Sequence, residues 1–545
     1  MNETIDEQPR GISREQMFLA RRAAQEQFAA LPLAYSTDGR VFGYEAPLTH
    51  PAPAGGYIEM TTAEGVMLLG QIIDKEVAER EGPTLGMDLG ERLNLSLAGA
   101  TVSSASFRPR IPYITGNGRL IGKLVEGRLV ETSRTDLFQD APFAPAAPEL
   151  VDLYLRGSGS RSALLAVGPP VHGHEQSIVS LQAAGFNRHS FLCGQSGSGK
   201  TYALGVMLER LLLDTQLRML VLDPNSDYVG LGHCRSAANV AGQFGRPADD
   251  PAITQLLNRY AALGPSIRVA RPGDDAGARL NVRFNDLTRQ EQALVLQLNP
   301  LIDREEFSGF WRIVDQIGNT RFSINDVRAA AAASLAAEAR QINLRIENLG
   351  IAGWQVWSER DEPSLIDALD DDWRALVLDI GRFELADESA VTALAVLGQL
   401  WRRREERRPI LLVVDEAHNI CPQEPASELQ AAVTDYMIRI AGEGRKFGIY
   451  LLLATQRPDK IHINVLSQCD NLILMRMNSH ADVQQLAGVF SFVPPSLLGQ
   501  AAYFAQGESL VAGRIAPAPT LLRFRGRVSE EGGSDVATTW ADQVG

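Results

Sequence analysis

Gly194, Gly199, Lys200 and Thr201 stand in the spacing G-x-x-x-x-G-K-[ST], within the run Gly194-Gln195-Ser196-Gly197-Ser198-Gly199-Lys200-Thr201. Glycines without a Cβ let successive backbone N–H groups turn inward and wrap a polyphosphate. A lysine at this place brings a point charge to the β and γ phosphates, and the hydroxyl after it can ligate Mg²⁺. Tyr202 to Leu213 can form a helix whose positive N-terminal end faces the anion. His189 to Cys193 supplies a short strand before the loop. A Gly/Ser-rich surface loop would need neither the lysine nor the strand-to-helix setting. All eight residues from Gly194 to Thr201 are therefore expected to hold a nucleoside triphosphate, with Thr201 on the metal.

A second constellation follows about 215 residues later. Ile410-Leu411-Leu412-Val413-Val414-Asp415-Glu416-Ala417-His418 is an apolar run ending in two carboxylates. Asp415 at the strand tip would hold Mg²⁺ through water, and Glu416 would polarise the attacking water. A later run ends Ala454-Thr455-Gln456-Arg457-Pro458. An amide at such a tip can sense the γ phosphate and orient water, which makes Gln456 a candidate; a plain strand-end cap is the alternative. Between them, Gly442-Glu443-Gly444-Arg445-Lys446-Phe447-Gly448 is a basic turn. In a ring, Arg445 could reach a neighbour's γ phosphate and stabilise transition-state charge. Alternatively it is a solvated helix end, where cations are favoured in any case. The expected catalytic set is Lys200, Glu416, Gln456 and Arg445, with ATP and Mg²⁺ as ligands.

These residues need a scaffold. Arg218 to Asp223, Ala375 to Asp379, Ile410 to Asp415, Ile449 to Thr455 and Asn471 to Met475 are apolar on both faces, as strands covered by helices must be. With helices between them they predict a mainly parallel α/β sheet over residues 171–520. Residues 285–373 lack a strong strand, and Val327 to Leu349 within them is Ala-rich, which predicts a helical insertion. Residues 34–170 alternate short apolar runs with Gly, Pro, Asn and Asp, the punctuation of a small β-barrel or sandwich. Asn117-Gly118 signals a tight hairpin there, and Ala141 to Pro148 a bend. Residues 1–33 contain an amphipathic helix over Ile12 to Ala30. Residues 521–545 turn polar and are expected to form a tail.

The 545 residues carry a net charge of −14. That opposes a uniformly basic nucleic-acid coat but allows a local basic channel. Cys193, Cys234, Cys421 and Cys469 are far apart and form no C-x-x-C, which points to a reducing cytoplasm rather than a zinc site or disulfide framework. No run approaches the ~20 apolar residues of a membrane span. Trp401 to Arg408 is the densest basic run, but its interleaved acids suit a solvated helix end as well as DNA.

Taken together these motifs resemble the HerA/FtsK branch of P-loop motor ATPases, HerA-like proteins most closely. The resemblance rests on Asn187-Arg188-His189 leading into Gly194–Thr201, Leu222-Asp223-Pro224-Asn225-Ser226-Asp227-Tyr228, and Val413-Val414-Asp415-Glu416-Ala417-His418. Gly444-Arg445-Lys446-Phe447-Gly448, Ala454-Thr455-Gln456-Arg457-Pro458, Leu466-Ser467-Gln468-Cys469 and Arg476-Met477 complete the set in the family's order. It implies a RecA-like motor domain after a small β-barrel, and a homo-oligomeric, hexameric ring that pumps double-stranded DNA, with Arg445 acting in trans. Relatives of this type work with a separate nuclease in DNA end resection, or stand beside nuclease or sirtuin-like effectors in antiphage defence. The chain shows no second catalytic constellation, so its effector would be another protein. One departure is Asn225-Ser226-Asp227 where the family often has His-Gly-Glu. An ATP-gated ring scaffold that activates an effector is the alternative, though an assembly platform needs no base such as Glu416. A conjugation-type motor is a third reading.

Overall fold

The computed structural model describes residue 22 and residues 29–51, 53–81, 110–126, 128–132, 134–155, 162–172, 177–273, 278–318 and 321–532. The helix expected over Ile12 to Ala30 lies, but for Arg22, Ala29 and Ala30, outside the described residues. The chain divides into two compact units, Met1–Gly159 and Ser160–Gly545.

The first unit holds β1 (Leu33–Ser36), β2 (Val41–Pro47), β3 (Tyr57–Thr61), β4 (Met67–Ile72), β5 (Glu76–Glu81), β6 (Arg110–Val125), β7 (Arg128–Glu131) and β8 (Phe138–Pro145). Neighbours run β2-β1-β8-β3-β4-β6, and β2 pairs again with β6, so six antiparallel strands close on themselves. Closure removes the unpaired edges that an open sheet exposes. Alternate side chains fill the inside: Phe42, Tyr44 and Ala46 from β2, Ile58 and Met60 from β3, Leu68 and Ile72 from β4.

Two sequence expectations fail here. Asn117-Gly118 is not a hairpin turn; both residues lie inside the single strand β6, paired with Gly43 and Phe42 of β2. Glycine is needed at 118 for space, since a Cβ there would come within 2.0 Å of the Phe42 ring. Ala141 to Pro145 is not a bend but part of β8, which pairs with β1 on one side and β3 on the other. The chain turns only after Pro145, and Pro148 opens helix Pro148–Leu155 at a position where its missing N–H costs nothing.

In the second unit, β9 (Leu164–Gly168) and β10 (Val179–Gln182) form an antiparallel pair. A ten-stranded sheet contains β11 (His189–Cys193), β12 (Arg218–Leu222), β13 (Ile267–Arg271), β14 (Ala278–Arg279), β15 (Ala375–Leu378), β16 (Ile410–Val414), β17 (Ile449–Thr455), β18 (Cys469–Met475), β19 (Glu508–Ala512) and β20 (Thr520–Arg523). Their order is β14-β13-β15-β12-β16-β17-β11-β18-β19-β20, parallel except across β18-β19-β20. Each of the six apolar runs read from the sequence is a strand, and all but one residue of β11, β12, β15 and β16 together is fully buried. Between residues 285 and 373 the described residues hold five α-helices and no named strand.

Parallel strands all end at one edge of the sheet. The loops after β11, β12, β16 and β17, neighbours or near neighbours in the order, are thereby brought together although they are far apart in sequence. The stretch from 521, expected to be a tail, begins as β20 and then packs on helix Lys200–Asp214, where Phe524, Arg527, Val528 and Ser529 are buried.

Candidate active site

The phosphate loop leaves β11 between the ends of β17 and β18. Gly194 N–H donates to the Thr455 carbonyl at 3.3 Å and Gln195 N–H to the Arg476 carbonyl at 3.0 Å. Gly197 (φ +72°) and Gly199 (φ +95°) sit in left-handed backbone that glycine adopts without cost. A Cβ at Gly194 would lie 2.6 Å from the Ser198 hydroxyl. Ser198 Oγ is itself buried with no hydrogen-bond partner, packed against Gly194. Gln195 offers its side-chain oxygen to the Asn478 N–H at 3.1 Å, and the Arg476 guanidinium donates to the Gly197 carbonyl at 3.1 Å.

Lys200 opens helix Lys200–Asp214 and points across to the end of β16. Its Nζ donates to Asp415 Oδ1 at 2.6 Å and Glu416 Oε1 at 2.8 Å. Burial by itself would lower the lysine, but the two carboxylates outweigh it and hold the ammonium above its ordinary range. Burial also works against the Glu416 charge, yet Lys200, then the Gln456 amide, keep the carboxyl below its usual range. Gln456 Nε2 donates to Glu416 Oε1 at 2.8 Å. Glu416 stands at φ +43°, a left-handed backbone that side chains other than glycine seldom occupy. That conformation aims the carboxylate at Lys200 and Gln456.

The loop after β12 adds a third acid. Asp223 accepts the N–H groups of Asp227 (3.0 Å) and Tyr228 (2.8 Å), folding residues 223–228 into a turn. Burial, with Asp227 and Asp415 nearby, pushes its carboxyl up to about 7. Ser226 takes φ +60° and donates its hydroxyl to Asp379 at 2.7 Å. The left-handed turn that a glycine would make freely is thus retained with serine. It presents Asp227, whose Oδ2 accepts from Thr201 Oγ at 3.2 Å. Tyr228 Oη reaches Asp415 Oδ2 at 3.4 Å.

Lys200, Thr201, Asp415, Glu416 and Gln456 therefore converge, and Arg445 does not. Arg445 precedes β17 whereas Gln456 follows it, so seven extended residues, about 20 Å, separate them. Its guanidinium pairs with Asp470 at 2.6 Å, at the start of β18. Two neighbours carried no assigned role in the sequence reading. Asp227 was visible only as the acid of an altered motif. His418, three residues past Asp415, has Nδ1 at 3.0 Å from Thr455 Oγ and 3.3 Å from Glu416 Oε2. Its position two residues after Glu416 was the available signal.

A hydroxyl and two carboxylates, Thr201, Asp227 and Asp415, form a hard oxygen set of the kind Mg²⁺ takes together with phosphate and water. The loop's glycines, left-handed at Gly197 and Gly199, leave the backbone N–H groups free of Cβ atoms as a triphosphate cradle requires. The arrangement can bind a polyphosphate, neutralise it with Lys200, and present Glu416 to a water.

Comparison with known proteins places residues 165–349 in the family model described as the central domain of helicase HerA. The DNA double-strand break repair helicase HerA of Pyrococcus furiosus is 22% identical over 470 residues, 77% of this chain and 80% of that protein. A probable helicase of Methanocaldococcus jannaschii is 31% identical over 133 residues, 24% of this chain and 25% of that one. Among solved structures, VirB4 of Thermoanaerobacter pseudethanolicus aligns with TM-score 0.45 at 13% identity, over 68% of this chain and 97% of its own. The conjugative coupling protein TrwB aligns with TM-score 0.43 at 14% identity, over 70% of this chain and 94% of its own.

Proposed function

From the premise that this chain is a HerA-like P-loop ATPase, an ATP hydrolase, we propose that it drives movement along double-stranded DNA as a subunit of a hexameric ring. The observation that carries the reading is the convergence of Lys200, Asp415, Glu416 and Gln456 at one sheet edge.

In the structure Lys200 is engaged by the two carboxylates. An incoming triphosphate offers it more negative charge, and the ammonium transfers to the β and γ phosphate oxygens. Glu416 then loses the charge that held its carboxyl low, so its proton affinity rises as the substrate arrives. Gln456 keeps hold of Oε1 and fixes the direction of the carboxylate. Glu416 takes a proton from water, the water oxygen bonds to the γ phosphorus, and the bond from that phosphorus to the bridging oxygen of ADP breaks. Thr201, Asp227 and Asp415 would hold Mg²⁺, which when bound neutralises charge developing on the phosphate oxygens. Hydrolysis in one subunit would need a cation from the next, and Arg445, at the far end of β17, is our candidate for it.

DNA would be gripped through its phosphates and read without regard to sequence. The relatives named as DNA-break repair helicases support DNA as the track. We further propose that a separate nuclease or other effector uses the movement, in DNA end processing or in antiphage defence, in the cytoplasm. No helix among the described residues is long and apolar enough to cross a membrane.

Release of a triplex-forming third strand from linear duplex DNA tests the proposal. ATP should support release and a non-hydrolysable analogue should not. Equal release with both, or none with either while ATP is consumed, would reject DNA pumping.

A further inference from the structure

The C-terminal segment after β20 crosses the helix that begins at Lys200, and it does so with a buried charge. Arg527 is fully buried, as is Glu209 on that helix. Arg527 Nη1 donates to the backbone carbonyl of Thr201 at 3.1 Å and to Glu531 at 2.8 Å. Glu209 receives the backbone N–H groups of Val528 and Ser529, each at 2.8 Å, and lies 3.8 Å from Arg527 Nε. Gly205, one helical turn after Thr201, makes room for the guanidinium; a Cβ there would stand 2.5 Å from Arg527 Cζ. Tyr202 Oη accepts the Arg527 N–H at 3.2 Å.

The same segment grips the facing loop. Gly532 N–H donates to the Asp227 backbone carbonyl at 3.1 Å. Glu530 N–H donates to the His233 carbonyl at 2.9 Å, and Arg235 N–H to the Val528 carbonyl at 2.8 Å. Thr201 and Asp227, whose side chains meet at 3.2 Å, are therefore each held from behind through their backbones by one short stretch, Arg527–Gly532. A C-terminal anchor alone would need only apolar packing. Burying an arginine there is costly unless its partners are fixed, and here the partner is the carbonyl of the residue whose hydroxyl faces the metal position.

We infer that Arg527 is a positioning residue of the nucleotide site, which sets the Thr201 hydroxyl against Asp227 and so tunes Mg²⁺ binding from outside the phosphate loop. This rests on Thr201 being a metal ligand. Lysine at 527 keeps the charge but ends one bond short of Nη1, the single nitrogen that donates to both the Thr201 carbonyl and Glu531.

The test is a Mg²⁺ titration of the full chain bound to a fluorescent non-hydrolysable ATP analogue. Arg527→Lys should bind the analogue without metal within about twofold of the wild type, and need ~10-fold more Mg²⁺ for half-saturation, as loss of an outer-sphere partner does elsewhere. Thr201→Val should shift the titration at least as far. Gly205→Ala should also shift it, because its methyl displaces the guanidinium while favouring the helix, and it serves if Arg527→Lys does not fold. A shift with Thr201→Val but none with Arg527→Lys or Gly205→Ala would overturn the inference and leave the metal reading standing. No shift with Thr201→Val would overturn both. Melting temperatures measured in parallel separate the cases, since a purely structural role lowers them without moving the Mg²⁺ midpoint.

Discussion

Substituting Lys200 by alanine should destabilise the nucleotide-free protein as well as disable it. The lysine side chain is 6% exposed, and Asp415 and Glu416 are 0% and 7% exposed. Removing the ammonium leaves two carboxylates buried side by side with Asp223 and Asp227 close by. Deleting one partner of a buried pair costs about 3–5 kcal/mol. For a body of roughly 390 residues, with an unfolding entropy near 2 cal/mol/K per residue, that is a drop in Tm of about 4–6 °C. The loss must also depend on pH. In the wild type Glu416 is held low, so it contributes stability above its unfolded pKa that is lost as pH falls through the folded value. In Lys200→Ala the shift reverses, with the folded carboxyl raised by burial and by Asp415. Its contribution is then present at low pH and lost as pH rises through the folded value. The gap in Tm between variant and wild type should be wider at pH 8 than at pH 5.5. Adding Glu416→Gln should restore part of the loss, since Asp415 stays buried and unpaired by the lysine. The assay is a thermal melt of the nucleotide-free protein at the two pH values. A Lys200→Ala variant that melts with the wild type at both, or that Glu416→Gln fails to rescue, would refute the claim that the lysine is the counter-charge of this site.

The remaining expectations concern other parts of the molecule. Glu416→Gln should bind ATP within a few-fold of the wild type and lose at least ~100-fold in turnover, as removal of a general base does; equilibrium binding and phosphate release check it. On the proposed ring, Arg445→Ala subunits should assemble yet turn over slowly, and mixing them with Glu416→Gln subunits should recover part of the activity. No recovery would count against action in trans. His189 is buried, with Nε2 at 3.0 Å from the Ala441 carbonyl and Nδ1 accepting the Leu451 N–H at 3.0 Å. Burial, with Arg445 adding to it, pushes its imidazole down to about 4. The unfolded chain therefore takes the proton first, and stability should fall as pH drops from about 6.5 toward 4, by up to ~3 kcal/mol. His189→Asn should flatten that part of a melt-versus-pH curve, and a curve of unchanged slope would show that the imidazole is not what the acid attacks.

The parallel sheet was legible because its strands are apolar on both faces, and the candidate site because glycine spacing and strand-tip acids are written in short contiguous runs. What escaped depends on partners distant in sequence. Asn117-Gly118 looks like a turn from its own residues, and only the Phe42 ring shows why a glycine sits in mid-strand. β13, beside the edge strand β14, buries only Ile267 and Ala270 of its five residues and lacks the continuous apolar run of the central strands. The stretch around Arg527 is polar, which in isolation reads as a tail; its anchors are the Thr201 carbonyl, which accepts from Arg527 Nη1, and Glu209, which accepts the Val528 and Ser529 N–H groups, more than 300 residues earlier. Asp227 was seen as a departure from a motif, and its bond to Thr201 needed coordinates.

Steady-state ATP hydrolysis with and without linear double-stranded DNA, with Glu416→Gln as control, tests the central claim most directly. The account predicts turnover that rises strongly with DNA and is lost in the variant. Turnover that is low and indifferent to DNA, or that persists in Glu416→Gln, would contradict it.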